Sequence, residues 1–269
     1  MLNKKNTKLI LIIASERRIK IEFMNKTIIF IPSRLAATRL PNKPLLKING
    51  LSIINHVYKK AKSVGVADVY VATGDIEIFQ DVTDEGGKCI LTEKEHQTGT
   101  DRIFEAYQKM NLNNYEYIIN LQGDEPMIDV EDIKNLNSKA IKEKSQIATL
   151  ASKIVDKVNF SKKNIVKVIT EKKLSKKNLS KAKNFLRQVS SNSHENIYHH
   201  IGIYMYKVEI LKKLINLNQS KNEKIHKLEQ MRAMDNNILI DVILANSSPI
   251  GVDTLEDFIE IKKIMKYKS

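Results

Sequence analysis

From Thr27 onward, short β-branched runs alternate with stretches of helical periodicity, and that alternation leaves few folds open. Strands are predicted near 27–31, 69–73, 117–121 and 147–152, and helices near 51–64, 100–110 and 130–143. Parallel strands need long crossovers, which helices supply, so the rhythm reads as α/β with a mostly parallel sheet. The later half is less regular, with strands predicted at 166–170, 201–206 and 238–245 and amphipathic helices at 224–234 and 255–266. Thr100, ahead of Asp101 and Arg102, is expected to cap the helix that it opens. The stretch 171–198 is rich in Lys, Asn and Ser with little periodicity, and reads as a mobile loop or a small excursion from the main domain. No repeat of 20–50 residues is visible, so a solenoid is set aside.

An α/β sheet can hold 269 residues around one core, and 42% hydrophobic with 28% charged residues is an ordinary globular balance. Met24 stands just before the first strand, so residues 1–24 are expected to be a dispensable appendage and 25–269 a single domain. The apolar run 9–14 is far shorter than the roughly 20 residues a membrane helix needs. Glu16, Arg17 and Arg18 follow it where a small-residue cleavage site would belong, which argues against export. The lone cysteine, Cys89, excludes an intramolecular disulfide and suits a reducing cytoplasm.

The net charge of +14 comes from 38 lysines and 7 arginines against 31 acidic residues. The lysines are scattered and no basic block is interleaved with aromatics, so a non-catalytic RNA- or DNA-binding module is the contrasting hypothesis and is disfavoured. A positive field also draws in small polyanions. Because Lys serves here as the generic cation, the few arginines stand out. Arg34, Arg39, Arg102, Arg187 and Arg232 all fall in segments selected on other grounds, where a forked guanidinium suits phosphate or carboxylate.

The first strand runs into segment 32–44, stiffened by Pro32, Pro41 and Pro44. It places Arg34, Arg39 and Lys43 at a strand's carboxyl end, the edge where ligands sit in open α/β sheets. Three cations with loop amides suit a triphosphate and a departing pyrophosphate. The glycine patterns of dinucleotide-binding and P-loop folds are both missing. After the third strand, Gln122-Gly123-Asp124-Glu125-Pro126 offers an acidic pair, with Asp124 suited to a hard cation. Asp253 stands at a turn before a helix capped by Thr254. Together the two aspartates would bring Mg²⁺ to an α-phosphate, although sequence alone does not place them side by side.

Six segments, in order, resemble the 3-deoxy-manno-octulosonate (Kdo) cytidylyltransferases: residues 32–45, His96-Gln97-Thr98-Gly99-Thr100-Asp101-Arg102, residues 122–128, His200-Ile201-Gly202-Ile203-Tyr204, Leu228-Glu229-Gln230-Met231-Arg232 and residues 251–257. The resemblance runs from about 27 to 263. It implies a nucleotidyltransferase-type fold and a cytoplasmic homodimer that transfers CMP from CTP to Kdo, with Mg²⁺, for lipopolysaccharide biosynthesis. It further implies CTP contacts at Arg34, Thr38, Arg39, Lys43, Gln97, Thr98, Gly99, Thr100 and Arg102. The metal would lie on Asp124 and Asp253, which with Arg39 and Lys43 form the catalytic group. Sugar contacts carry over to Gln122, Arg187, His200, Tyr204, Glu229 and Gln230, with Arg187 the natural partner of the sugar carboxylate. The chain departs from the family pattern where Gly74 and Asp75 follow Val71-Ala72-Thr73, and in the shortened segment after Arg187. A related acidic sugar, of the 8-amino-Kdo or sialate type, is the alternative acceptor.

Overall fold

The computed structural model describes residues 27–36, 39–65, 67–111, 114–189 and 196–266. The expected appendage, residues 1–24, and Thr38 lie outside the described residues. The first half of the chain gives β1 (Thr27–Ser33), β2 (Lys47–Ile48), β3 (Leu51–Ser52), α1 (Ile53–Ser63), β4 (Asp68–Thr73), α2 (Ile76–Asp84), β5 (Cys89–Leu91), α3 (Gly99–Lys109), β6 (Tyr117–Asn120) and α4 (Val130–Lys142). The second half gives β7 (Ile147–Lys153), β8 (Lys167–Thr170), β9 (Ser180–Leu186), β10 (Ile197–Lys207), α5 (Val208–Ile215), α6 (Lys221–His226), α7 (Gln230–Asp235), β11 (Ile240–Leu244) and α8 (Leu255–Lys266).

Strand β1 shows why the sheet forms. Its Ile29 and Ile31 enter one apolar layer with α1, α2 and α4, whereas Ile28 and Phe30 enter the opposite layer with α3 and α5. A parallel strand covered on both faces carries no polar alternation, which is why residues 28–32 are apolar without a break. Each of those four side chains is fully buried, a contribution of roughly 1.5–3 kcal/mol apiece.

The main sheet has nine strands in the order β5-β4-β1-β6-β10-β7-β11-β9-β8. The expected parallel arrangement holds across β5, β4, β1 and β6. Beyond β6 the sheet is mixed: β10 runs antiparallel to both β6 and β7, and β7 and β11 pair in parallel. The stretch 171–198, read from sequence as a loop or excursion, contributes β9 and the start of β10, and β9 pairs with β8 and β11. Its lysines hid the strand because much of β9 is only partly buried. The helix expected over 224–234 is two short helices, broken at Lys227, whose φ of 52° is left-handed. Helix α3 is capped by Thr98 rather than Thr100. Thr98 Oγ1 accepts from Asp101 N at 3.1 Å while Asp101 Oδ2 accepts from Thr98 N at 3.0 Å, a reciprocal capping box. Among the described residues, no helix is long and apolar enough to cross a membrane.

Candidate active site

The parallel strands β5, β1 and β6 all end at one edge, and the loops that leave them line a cleft of about 360 Å³. The first loop contributes Arg34, Arg39 and Lys43, the segment leading into α3 contributes His96, Gln97, Thr98, Gly99 and Arg102, and the loops after β6 and before α8 contribute Gln122, Asp124 and Asp253. The two aspartates that sequence could not juxtapose meet on one ammonium. Lys43 Nζ donates to Asp124 Oδ2 at 2.6 Å and lies 3.6 Å from Asp253 Oδ1, while Arg39 Nη1 lies 2.9 Å from Asp253 Oδ2. Backbone pairing fixes this meeting, since Val252 N donates to Asp124 O at 2.9 Å. Gly123 makes it possible: a Cβ there would stand 3.0 Å from Pro32 O and 3.2 Å from Ile54 Cδ1.

Arg102 is buried. Its Nη1 donates to Thr92 Oγ1 at 2.6 Å and Glu93 O at 3.0 Å, and its Nη2 to Lys94 O at 3.0 Å. It therefore shapes one wall of the cleft. Beside Asp124, the Glu125 carboxyl is pushed up to about 8 by burial and by the neighbouring charge, and its Oε2 has no hydrogen-bond partner. The acidic pair thus divides into one carboxylate held by Lys43 and one enclosed acid.

A second, smaller cavity of about 140 Å³ adjoins the first, sharing Gly99 and Gln122 with it. Thr100, Asn120, Tyr204, Tyr206, Glu229 and Gln230 line it. A shift of register in β10 between Ile201 and Tyr204 sets this wall. Thr149 Oγ1 lies 3.1 Å from Ile201 O and 2.8 Å from Ile203 O, and Gln122 Nε2 donates to Gly202 O at 3.2 Å. Asn120 Oδ1, Tyr204 Oη and Gln230 Nε2 are enclosed there without a directed partner. Buried polar groups are ordinarily paired, so three orphans around one cavity mark a place for a polar ligand.

The Glu229 carboxyl is pushed up to about 7, chiefly by burial, with Thr100 and Arg232 acting the other way. A carboxyl whose folded-state value is raised holds its proton through folding, so stability is lost as pH climbs from the unfolded value toward 7. Glu229→Gln is therefore expected to raise the melting temperature by several degrees near pH 8 and by little near pH 5. Equal shifts at both pH values in thermal melts would refute this.

Some expected sugar contacts do not reach either cavity. His200 is buried behind Tyr204, with ring centroids 5.4 Å apart and its Nε2 3.1 Å from Thr149 Oγ1. Burial pulls its value down to about 3, so it stands neutral as a prop for the wall. Arg187 donates from Nε to His226 O at 2.8 Å, from Nη2 to Lys227 O at 2.8 Å and from Nη1 to Lys163 O at 3.2 Å. Its fork clasps the turn between α6 and α7. Arg232 pairs with the chain's own Glu223. Asn120, by contrast, escaped the sequence reading. As the last residue of an apolar strand it carried no motif, and only its position opposite Tyr204 reveals it.

A sequence model of the family described as Cytidylyltransferase matches residues 28–241, most of the chain. The 3-deoxy-manno-octulosonate cytidylyltransferase of Thermodesulfovibrio yellowstonii is 42% identical over 243 residues, covering 86% of this chain and 94% of that protein. The chain belongs to the 3-deoxy-manno-octulosonate cytidylyltransferase family. The Nitrobacter hamburgensis member is 36% identical over 241 residues, covering 89% of this chain and 93% of its own. Among solved structures, a CMP:2-keto-3-deoxy-manno-octonic acid synthetase complexed with CTP superposes with a TM-score of 0.82 at 34% identity, covering 91% of this chain and all of that one. A UDP-glucose pyrophosphorylase, at 16% identity and a TM-score of 0.67, shares the fold. This cytidylyltransferase is therefore a nucleotidyltransferase in fold and family, with the paired cavities at the carboxyl edge of its parallel strands.

Proposed function

We propose that the chain transfers CMP from CTP to the anomeric hydroxyl of Kdo and releases pyrophosphate. One observation carries the reading: a cleft walled by Arg34, Arg39, Lys43 and Arg102 opens at Gly99 and Gln122 onto a cavity where Asn120, Tyr204 and Gln230, each with an unpaired polar atom, stand with Glu229 among apolar side chains. The first suits a triphosphate and the second a polyhydroxylated acceptor. Relatives at 34–42% identity that bear this activity in their names support the assignment of substrates.

The sugar hydroxyl attacks the α-phosphorus in line. An oxygen–phosphorus bond to the sugar forms, the bond to the β-phosphate oxygen breaks, and the hydroxyl proton is released. No covalent enzyme intermediate is needed, so orientation and charge neutralisation supply most of the acceleration. Arg39 and Lys43 hold the negative charge that grows on pyrophosphate, and the loop amides with Arg34 align the triphosphate. Across the shared wall, Gln122, Tyr204, Glu229 and Gln230 orient the sugar hydroxyls.

Mg²⁺ is part of this reading. Among the described residues no three or more His, Cys, Asp and Glu side chains gather as a cage, but two partly exposed carboxylates converge on one cation. That suits a metal bound through one or two carboxylates plus substrate phosphate. Asp124 and Asp253 would hold it, and when bound it would polarise the phosphate and lower the pKa of the attacking hydroxyl. The family resemblance also supports a homodimer working in the cytoplasm.

The test is pyrophosphate release with CTP and a panel of Kdo, 8-amino-Kdo and sialate, each with and without Mg²⁺. Release is expected with Kdo and Mg²⁺ together. Release favouring sialate would move the assignment to another acidic sugar, and none with any acceptor would refute it. Tyr204→Phe, which removes one enclosed hydroxyl, is expected to raise the KM for Kdo about tenfold and leave that for CTP nearly unchanged.

A further inference from the structure

We propose that Asp75 is a positioning residue for the triphosphate loop, acting through the backbone amide of Leu35. The proposal rests on the reading of the larger cleft as the CTP site. Asp75 occupies the N-cap position of α2, where an Asp side chain ordinarily accepts from the helix's own first amides. Here it makes no such bond. Its Oδ2 instead accepts from Leu35 N at 2.8 Å, across 40 residues of chain, and Asp75 N donates to Thr73 Oγ1 at 3.1 Å. A cap given up for a contact with a distant loop points to a task in that loop.

The task follows from what surrounds it. Leu35 lies between Arg34 and Ala36, both in the cleft wall, and packs against the apolar layer below. With its side chain held by packing and its amide held by Asp75, residue 35 fixes the direction in which Arg34 leaves the backbone. The corner that carries Asp75 is itself wedged against the opposite wall. A Cβ at Gly74 would lie 2.5 Å from Lys94 Cα and 2.7 Å from Glu93 O, and those same two residues offer their carbonyls to Arg102. Only glycine allows the β4–α2 corner to sit this close. The Gly74-Asp75 pair thus splints the phosphate loop to the segment that enters α3.

The experiment compares Asp75→Ala and Asp75→Asn with the unaltered enzyme in steady-state kinetics, varying CTP and Kdo in turn, alongside thermal melts. Asp75→Ala is expected to raise the KM for CTP about tenfold while the KM for Kdo stays within about twofold, as loss of one charge-assisted bond to a substrate loop implies. Asp75→Asn is expected to recover most of the loss, because its amide oxygen accepts from the same amide. Lys43→Met serves as the control for the cleft. If it raises the KM for CTP and Asp75→Ala does not, the proposal is overturned; if neither variant changes it, the CTP reading beneath it falls instead. An Asn variant as impaired as the Ala variant, or equal increases for both substrates, would also overturn it.

Discussion

Asp124→Asn or Asp253→Asn should lower turnover by two or more orders of magnitude while the chain stays folded. Both carboxylates converge on Lys43 from loops 129 residues apart in sequence, and both are partly exposed, at 36% and 47% of their side chains. The exposed Arg39–Asp253 pair is worth only about 0–1 kcal/mol, and Lys43, although just 14% exposed, keeps one carboxylate after either change, so amide replacements should lower the melting temperature by a few degrees at most. Catalysis has no such margin. With one carboxylate neutralised, the proposed Mg²⁺ site loses half its protein donors, and removal of a preorganised electrostatic element commonly costs about 10²–10³ in rate. The measurement is kcat at saturating CTP, Kdo and Mg²⁺, with circular dichroism as the check on folding. Rates close to those of the unaltered enzyme in both variants would remove these residues from the site.

Arg232→Met should have the largest effect on stability. Arg232 donates from Nε and Nη2 to the two oxygens of Glu223 at 2.8 and 2.6 Å, and both side chains are almost wholly buried. Removing one partner strands a charge inside the protein, at a cost of about 3–5 kcal/mol and a fall in melting temperature of roughly 10 °C. The pair also ties α6 to α7 across the break at Lys227, beside Glu229 and Gln230, so sugar binding should weaken with it. A second change, Glu223→Leu, is expected to recover most of the stability, since an apolar replacement of a buried ion pair is often neutral. Denaturant unfolding of the single and double variants decides the matter: a single variant within about 1 kcal/mol of the unaltered chain contradicts this account.

These residues also show where sequence reasoning stops. The arginine argument expected forked contacts to phosphate or carboxylate: Arg232 makes one, to Glu223 of the chain itself, whereas Arg187 donates to backbone carbonyls. Likewise His200 sits next to the site and serves it from behind, through Tyr204. Nothing in a motif separates a side chain that touches a ligand from one that supports such a side chain.

The sequence by itself determined three of the four strands in the parallel half of the sheet, β1, β4 and β6, though not the short edge strand β5, together with the position of the cleft and the identity of its cations. Each of these is a local matter: apolar runs set strands buried on both faces, and a proline-stiffened loop leaves a strand at a known edge. Tertiary structure alone decided how the strands of the mixed half pair, the break at Lys227 and every partnership that spans the fold. Lys43 meets Asp124 across 81 residues, and Asp75 meets Leu35 across 40. Hydrogen bonds and ion pairs act over about 3 Å, so which polar groups meet depends on strand order and register, which no single segment encodes.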